Sequence, residues 1–282
     1  MSNVRRLDPS ASPLDYFGSE LRRRREEAGL TQGDLGSAIF CTGSLVGQIE
    51  TGAKVPSRDL AERLDAALMT DGLFSRLVGL VLRSQLPSWF QPYAVMEATA
   101  TYISTYQAQV VYGLLQTEEY ARAVLATGRP ERLDDLVAAR MERQRILRRE
   151  HPPLTLVVLD EAVLHRPIGG PDVMRKQLRH LLSFRTERWT CVQVLPFGAG
   201  EHTSLDGSFN LLRFSDDPDL IYTEDLISGH MTANPETVRE ASLRYAGLQA
   251  AALSVEDSAE LIKRVLEESY GQHTGTGESP VA

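Results

Sequence analysis

Only two cysteines, Cys41 and Cys191, occur in 282 residues, so neither a disulfide framework nor a Cys-x-x-Cys metal pair can be built. Both suit buried thiols in a reducing cytosol, and no disulfide between them is expected. No apolar run approaches membrane-spanning length; the best, Leu77 to Leu82, stops at Arg83. The start, Met-Ser-Asn-Val-Arg-Arg-Leu-Asp-Pro-Ser, lacks the apolar core of a secretory signal. A cytoplasmic protein without membrane contact is the expectation. The six histidines are scattered without His-Glu-x-x-His spacing, and no Gly-x-Ser-x-Gly elbow exists. These gaps leave no catalytic site, metal or cofactor indicated.

Positive charge is also short, the formal net charge being -8. Divided along the chain, residues 1 to 85 hold eleven Lys plus Arg and eleven Asp plus Glu, so the remainder carries the whole deficit. The length suits two domains. Leu86-Pro87-Ser88-Trp89-Phe90-Gln91-Pro92-Tyr93 reads as a punctuated joint, which places the boundary near residue 86. Residues 1–13 and 271–282 are polar and rich in Ser, Pro, Gly and Thr, and are expected to be disordered tails.

What the chain does have is a dense pattern at residues 30 to 50. Thr31 precedes a short segment with Leu35 and Ile39 four apart, an N-cap followed by an apolar stripe. That helix stops near Phe40-Cys41. Thr42 can cap a second helix with Val46 and Ile49 inward and Gly43, Ser44, Leu45 and Gln48 on the outer and leading side. Gly52 stands where a left-handed helix end is needed, and Pro56 blocks continuation. A helix from Tyr16 to Ala28 with Phe17, Leu21 and the run Arg22 to Arg25 precedes the pair; another, capped by Ser57 and carrying Leu60, Ala61, Leu64 and Leu68, follows it. An all-α domain over residues 14–85 is expected, with its second motif helix presented to a major groove.

Leu30-Thr31-Gln32, Leu35, Ile39, Val46, Gln48-Ile49-Glu50, Gly52, Lys54 and Pro56 at these offsets resemble the Cro/C1-type (xenobiotic-response-element) helix-turn-helix family over about residues 16 to 70. The resemblance implies that Gln32 bonds a phosphate and braces the recognition helix. Thr42, Gly43, Ser44 and Gln48 would face bases or backbone, and Lys54 and Arg58 would touch phosphates. It implies further that Arg25 and Glu50 form an ion pair tying the leading helix to the recognition helix. Gly43 and Gly47 replace longer side chains of the family and Phe40 replaces a turn glycine. Base reading is therefore expected to be sparse, resting on Ser44, Leu45 and Gln48, with DNA shape adding the rest. The arginine run has the alternative reading of a solvated helix face.

Residues 86–270 change character. Strands are expected at 101–111, 154–159, 190–195, 208–214 and 220–224, and helices after Thr117, over 133–149, 171–188, 235–253 and 255–270. Without a regular βαβ repeat, an α+β domain around one sheet follows. Asp160-Glu161, Gly169-Gly170-Pro171 and Gly198-Ala199-Gly200-Glu201-His202 are candidate polar sites that plain turns or caps explain as well. Trp89-Phe90, the string Val111 to Arg122, Arg166 to Pro171 and Leu195 to Gly200 resemble the domain of unknown function that accompanies this motif in actinobacterial, antitoxin-like regulators of the Scr1 and WhiJ type. That resemblance implies a transcription factor whose second domain binds a small acidic protein encoded by a neighbouring gene. The leading expectation is a homodimeric repressor of double-stranded DNA controlled by a partner protein or ligand. The alternative is an antitoxin-like module that sequesters its partner, with autoregulatory DNA binding.

Overall fold

The computed structural model describes residues 7–271. In chain order the helices and strands are α1 (Pro13–Glu27), α2 (Gln32–Ala38), α3 (Gly43–Glu50), α4 (Arg58–Leu68), α5 (Leu73–Ser84), α6 (Gln91–Thr99), β1 (Tyr102–Gln107), α7 (Glu118–Ala126), α8 (Leu133–Arg143), β2 (Leu154–Asp160), α9 (Ala162–His165), α10 (Pro171–Ser183), β3 (Thr190–Leu195), β4 (Phe209–Arg213), β5 (Leu220–Glu224), β6 (Gly229–Thr232), α11 (Pro235–Ala251) and α12 (Val255–Tyr270). Two compact units result: residues up to Pro92 with Arg132–Glu142, and Tyr93–Glu131 with the residues from Arg143 onward. The chain is thus an all-α amino-terminal domain followed by an α+β domain.

The first unit follows from its caps and stripes. Thr31, Thr42 and Ser57 each accept a hydrogen bond from the backbone N–H three residues on, opening α2, α3 and α4. Phe17, Leu21, Leu35, Ile39, Val46, Ile49, Leu64, Phe74 and Val78 bury together as its core. Ser12 caps α1 and Pro13 begins it, so the tail expected through residue 13 stops short of these two. The rest of that tail and the one at the other end fall mainly outside the described residues.

Helix α5 has Gly72 at its start and no side-chain cap of its own. Asp65 of α4 supplies one, accepting from the N–H of Phe74 at 2.9 Å and of Ser75 at 2.8 Å, and from the hydroxyls of Thr70 and Ser75 at 2.6 Å each. Burial alone would push this carboxyl up, but the hydrogen bonds outweigh it and hold it below the ordinary 3.8. A folded-state value under the unfolded one means stability that is full above pH 3.8 and is lost as pH falls below it through the lower folded-state value. Asp65→Asn should flatten the acid limb of the stability curve; a limb as steep as that of the parent protein in acid titrations of melting would disprove the role.

The expected helix over 133–149 ends at Arg143, and residues Gln144–Arg148 continue as a 3-10 turn. Its place after residue 86 assigns it to the second domain, yet α8 packs with the first unit: Ala138 lies on the core and Glu142 pairs with Arg58. A crossover between strands has no obligation to stay with its own sheet. The joint at 86–93 is helical from Gln91, where α6 begins.

In the second unit one six-stranded sheet runs β3-β2-β1-β4-β5-β6. β1, β2 and β3 are parallel, with Tyr102 opposite Leu154 and Thr155 opposite Thr190, whereas β4, β5 and β6 continue antiparallel. Helical crossovers of unequal length join these first three strands, so they make βαβ connections without a regular repeat. β6 and the one-turn α9 were also not foreseen; four residues carry too little periodicity. Phe209, Leu211, Tyr106, Val158, Tyr245 and Leu248 pack α11 on one sheet face. A buried pair, Arg143 with Glu97 at 2.8 Å, further fixes α6. The β3 edge is covered, since Val194 exchanges bonds with Ser258 and Leu253. β6 ends the other side with His230, Met231 and Thr232 exposed.

Candidate nucleic-acid interface

The turn between α2 and α3 is built for close approach. A Cβ on Gly36 would stand 2.8 Å from the Gly43 nitrogen and 2.9 Å from the Cys41 carbonyl oxygen, both backbone atoms that cannot swing aside. Phe40 adopts φ 57°, the left-handed conformation for which the family uses glycine, and leaves its ring 86% exposed. Thr31 and Asp34 form a reciprocal capping box at the start of α2. Gly52, at φ 68°, ends the motif as expected.

Glu50, at the end of α3, is 0% exposed and is the anchor of the motif. Arg25 donates to it from Nε to Oε1 at 2.5 Å and from Nη2 to Oε2 at 3.1 Å, a bidentate pair. Its Nη1 donates to the Leu30 carbonyl at 2.8 Å, which ties the α1–α2 connection to the same centre. The Glu50 carboxylate raises the Arg25 guanidinium above its ordinary value. Arg22 donates to the Glu50 carbonyl at 3.2 Å, and Gln32 Nε2 donates to Glu50 Oε2 at 2.8 Å. The Gln32 side chain lies along α3, because a Cβ on Gly47 would sit 3.0 Å from its Oε1. The bracing role implied for Gln32 thus has a geometry, and the small residue at position 47 makes room for it.

The remaining members of the site divide. Thr42, Ser44 and Gln48 are exposed on α3 and its leading edge. The side chains of Ser44 and Gln48 make no hydrogen bond among the described residues, so their polar atoms face solvent. Leu45 is corrected: it is half-buried against the core, sharing the inward side with Val46 and Ile49. Gly43 also has an internal task, since a Cβ there would meet Gly33 backbone atoms at 3.0 Å where α2 and α3 cross. The arginine run is neutralised locally, with Arg23 and Arg24 both paired to Glu20 and Glu27.

Lys54 is exposed and its ammonium has no partner among the described residues. Arg58 is corrected from a backbone contact to an internal tie: its Nε lies 3.0 Å from both Glu142 oxygens, and its Nη1 donates to the Ser75 carbonyl at 3.1 Å. Glu142 lies 84 positions away in sequence, so no local signal could have revealed it. Lys54→Ala should weaken binding to all DNA alike and lower the salt slope by about 1, whereas Arg58→Ala should leave the slope unchanged. Salt titrations showing the reverse order would overturn this assignment.

The candidate polar sites of the second unit are turns and caps. Asp160 accepts from Ala162 N–H at 2.8 Å and from the Tyr106 hydroxyl at 3.2 Å; Glu161 accepts from Phe197 N–H at 2.7 Å. Gly169 and Gly170 take φ 69° and 89° ahead of α10. No group of three His, Cys, Asp or Glu side chains is placed to hold a metal among the described residues. No described helix is long and apolar enough to cross a membrane. Cys41 and Cys191 are free thiols.

Two short capped helices in close contact where Gly43 meets Gly33, with polar groups outward on the second, define a helix-turn-helix DNA-binding regulator. Residues 17–75 accordingly match the family described as Helix-turn-helix domain. Residues 90–264 match the family described as Domain of unknown function (DUF5753), and the chain belongs to that family. No curated protein and no solved structure matches the chain.

Proposed function

We propose that the protein is a homodimeric, sequence-specific transcriptional repressor acting in the cytoplasm, with residues 86–270 dimerising and responding to a partner protein or ligand. The observation that carries it is the outward set Thr42, Ser44 and Gln48 on a helix whose end is clamped at Glu50. Because the arginine run is spent on Glu20, Glu27 and Glu50, few phosphates can be neutralised per copy. Two copies on half-sites about one helical turn apart would make up that deficit. The β6 edge, which no other strand covers among the described residues, has Met231 exposed on it and Leu226 and Ile227 exposed just before it, and offers a surface for such pairing.

An enzymatic role is not proposed, since the polar groups at the ends of β2 and β3 serve as caps. Sequestration of a small acidic protein is the second reading implied by the family resemblance. Residues 86–282 carry the whole net charge of -8, which opposes an acidic partner and favours a ligand as the effector. A genome-wide footprint of bound sites tests the reading. Recovery of a pseudo-palindromic site in promoters supports it, and gel-shift titrations with no preferred genomic fragment would overturn it. A protein that stays monomeric at DNA-binding concentrations would remove the dimer.

A further inference from the structure

Helix α8 belongs to the first unit, but the chain enters it from the second at Glu131 and returns there at Arg143. Two consecutive residues at its carboxyl end, Glu142 and Arg143, therefore hold partners in different units. Glu142 accepts from Nε of Arg58, the first residue of α4, at 3.0 Å, and Arg58 in turn donates to the Ser75 carbonyl of α5 at 3.1 Å. Arg143 gives Nε to Glu97 Oε2 and Nη2 to Oε1, each at 2.8 Å, and this Glu97 is 2% exposed. A buried bidentate pair of this kind moves as one body, because either ion left alone would stay desolvated.

Neighbouring Cα atoms are fixed about 3.8 Å apart. Glu142 must follow a displacement of Arg143 or give up its place on Arg58. Beyond Glu97 the contacts are equally continuous. The Tyr112 hydroxyl donates to Glu97 Oε1 at 2.9 Å and lies 3.5 Å from the Tyr93 hydroxyl. Tyr93, one turn before Glu97 on α6, stacks on Tyr222 of β5 with centroids 4.0 Å apart. Gly229 of β6 lies against that same ring, since a Cβ there would stand 2.8 Å from two Tyr222 ring carbons.

We propose that α8 is a coupling element through which the packing of the β5–β6 hairpin on Tyr93 sets the stability of α4 and α5, and with them of the helix-turn-helix unit. The relay runs Tyr222, Tyr93, Tyr112, Glu97 and Arg143, then across one peptide bond to Glu142 and Arg58. It rests on the effector reading above only for its consequence on DNA. Contacts of this packed and paired kind are kept or lost as wholes, so the relay switches rather than stretches.

Hydrogen exchange of the full chain, followed by mass spectrometry on peptides of α4 and α5, tests the coupling. Glu97→Gln with Arg143→Gln replaces the buried ions by neutral groups and alters no residue of the first unit, yet exchange in α4 and α5 should rise at least about fivefold. Should that protein not fold, Tyr112→Phe removes a single hydrogen bond from Glu97 and should give a rise of about threefold. Glu142→Ala, on the other side of the same peptide bond, should raise exchange in α4 and α5 and leave β4 and β5 protected. Tyr245→Phe removes the hydroxyl bonded to the Leu156 carbonyl at 3.0 Å, away from the relay, and should leave α4 and α5 unmoved. Unmoved α4 and α5 in the folded second-unit variants, or an equal rise in Tyr245→Phe, would overturn the coupling. Operator titration of Glu142→Ala is read separately. Affinity equal to that of the parent protein despite faster exchange would overturn control of DNA by the second unit and leave the coupling standing.

Discussion

Arg25→Ala should cost about 3–5 kcal/mol of folding stability, because it strands the fully buried Glu50 carboxylate without its bidentate partner. On a unit of this size the melting midpoint should drop by roughly 10 °C or more. Gln32 still donates to Glu50 in the variant and Arg22 Nε stands 3.6 Å from its Oε2, but an amide and one longer ion pair do not replace the bidentate guanidinium. Removing the charge as well, in Arg25→Ala with Glu50→Gln, should recover part of the loss. Thermal melts of the three proteins settle the matter: an unmoved midpoint in Arg25→Ala would show that the pair does not hold α1 to α3.

Gln48→Ala should lower operator affinity by about 1–3 kcal/mol, or roughly 5- to 150-fold, and leave affinity for random DNA unchanged. The residue is exposed, its amide makes no hydrogen bond within the described structure, and its backbone carbonyl is what serves the fold, accepting from Ala53 N–H at 2.9 Å. Truncation therefore removes a reader and spares the scaffold, so the melting curve should not move. Competition gel shifts against operator and random duplex separate the cases, and an equal loss on both would refute base reading by this side chain. Gln32→Ala is the useful contrast, since its amide is bound to Glu50 and its loss should appear in stability as well as in binding.

The motif was legible because its signals are local. Thr31, Thr42 and Ser57 cap helices three residues away, and Gly52 takes the left-handed turn predicted for it. The ion pair between Arg25 and Glu50 was reached through family resemblance, and the geometry supplies its burial and second hydrogen bond. Leu45 was misread because a helix of eight residues has a wide inward face, and spacing alone does not say where its rim lies. The loss of Arg58 to Glu142 and the acceptance by Asp65 of the α5 amides join separate helices, which no periodicity records.

Alone, the order of residues determined where the chain turns, which helices and most strands form, that an all-α module precedes an α+β one, and which residues stand on the second motif helix. These follow from caps, glycine and proline constraints and apolar period, all of which act within a few residues. Tertiary structure decided that α8 belongs with the first unit, that β1, β2 and β3 run parallel, and that the arginines are spent on carboxylates. Each depends on which groups distant in sequence come within a few ångströms, and packing, not local preference, fixes that.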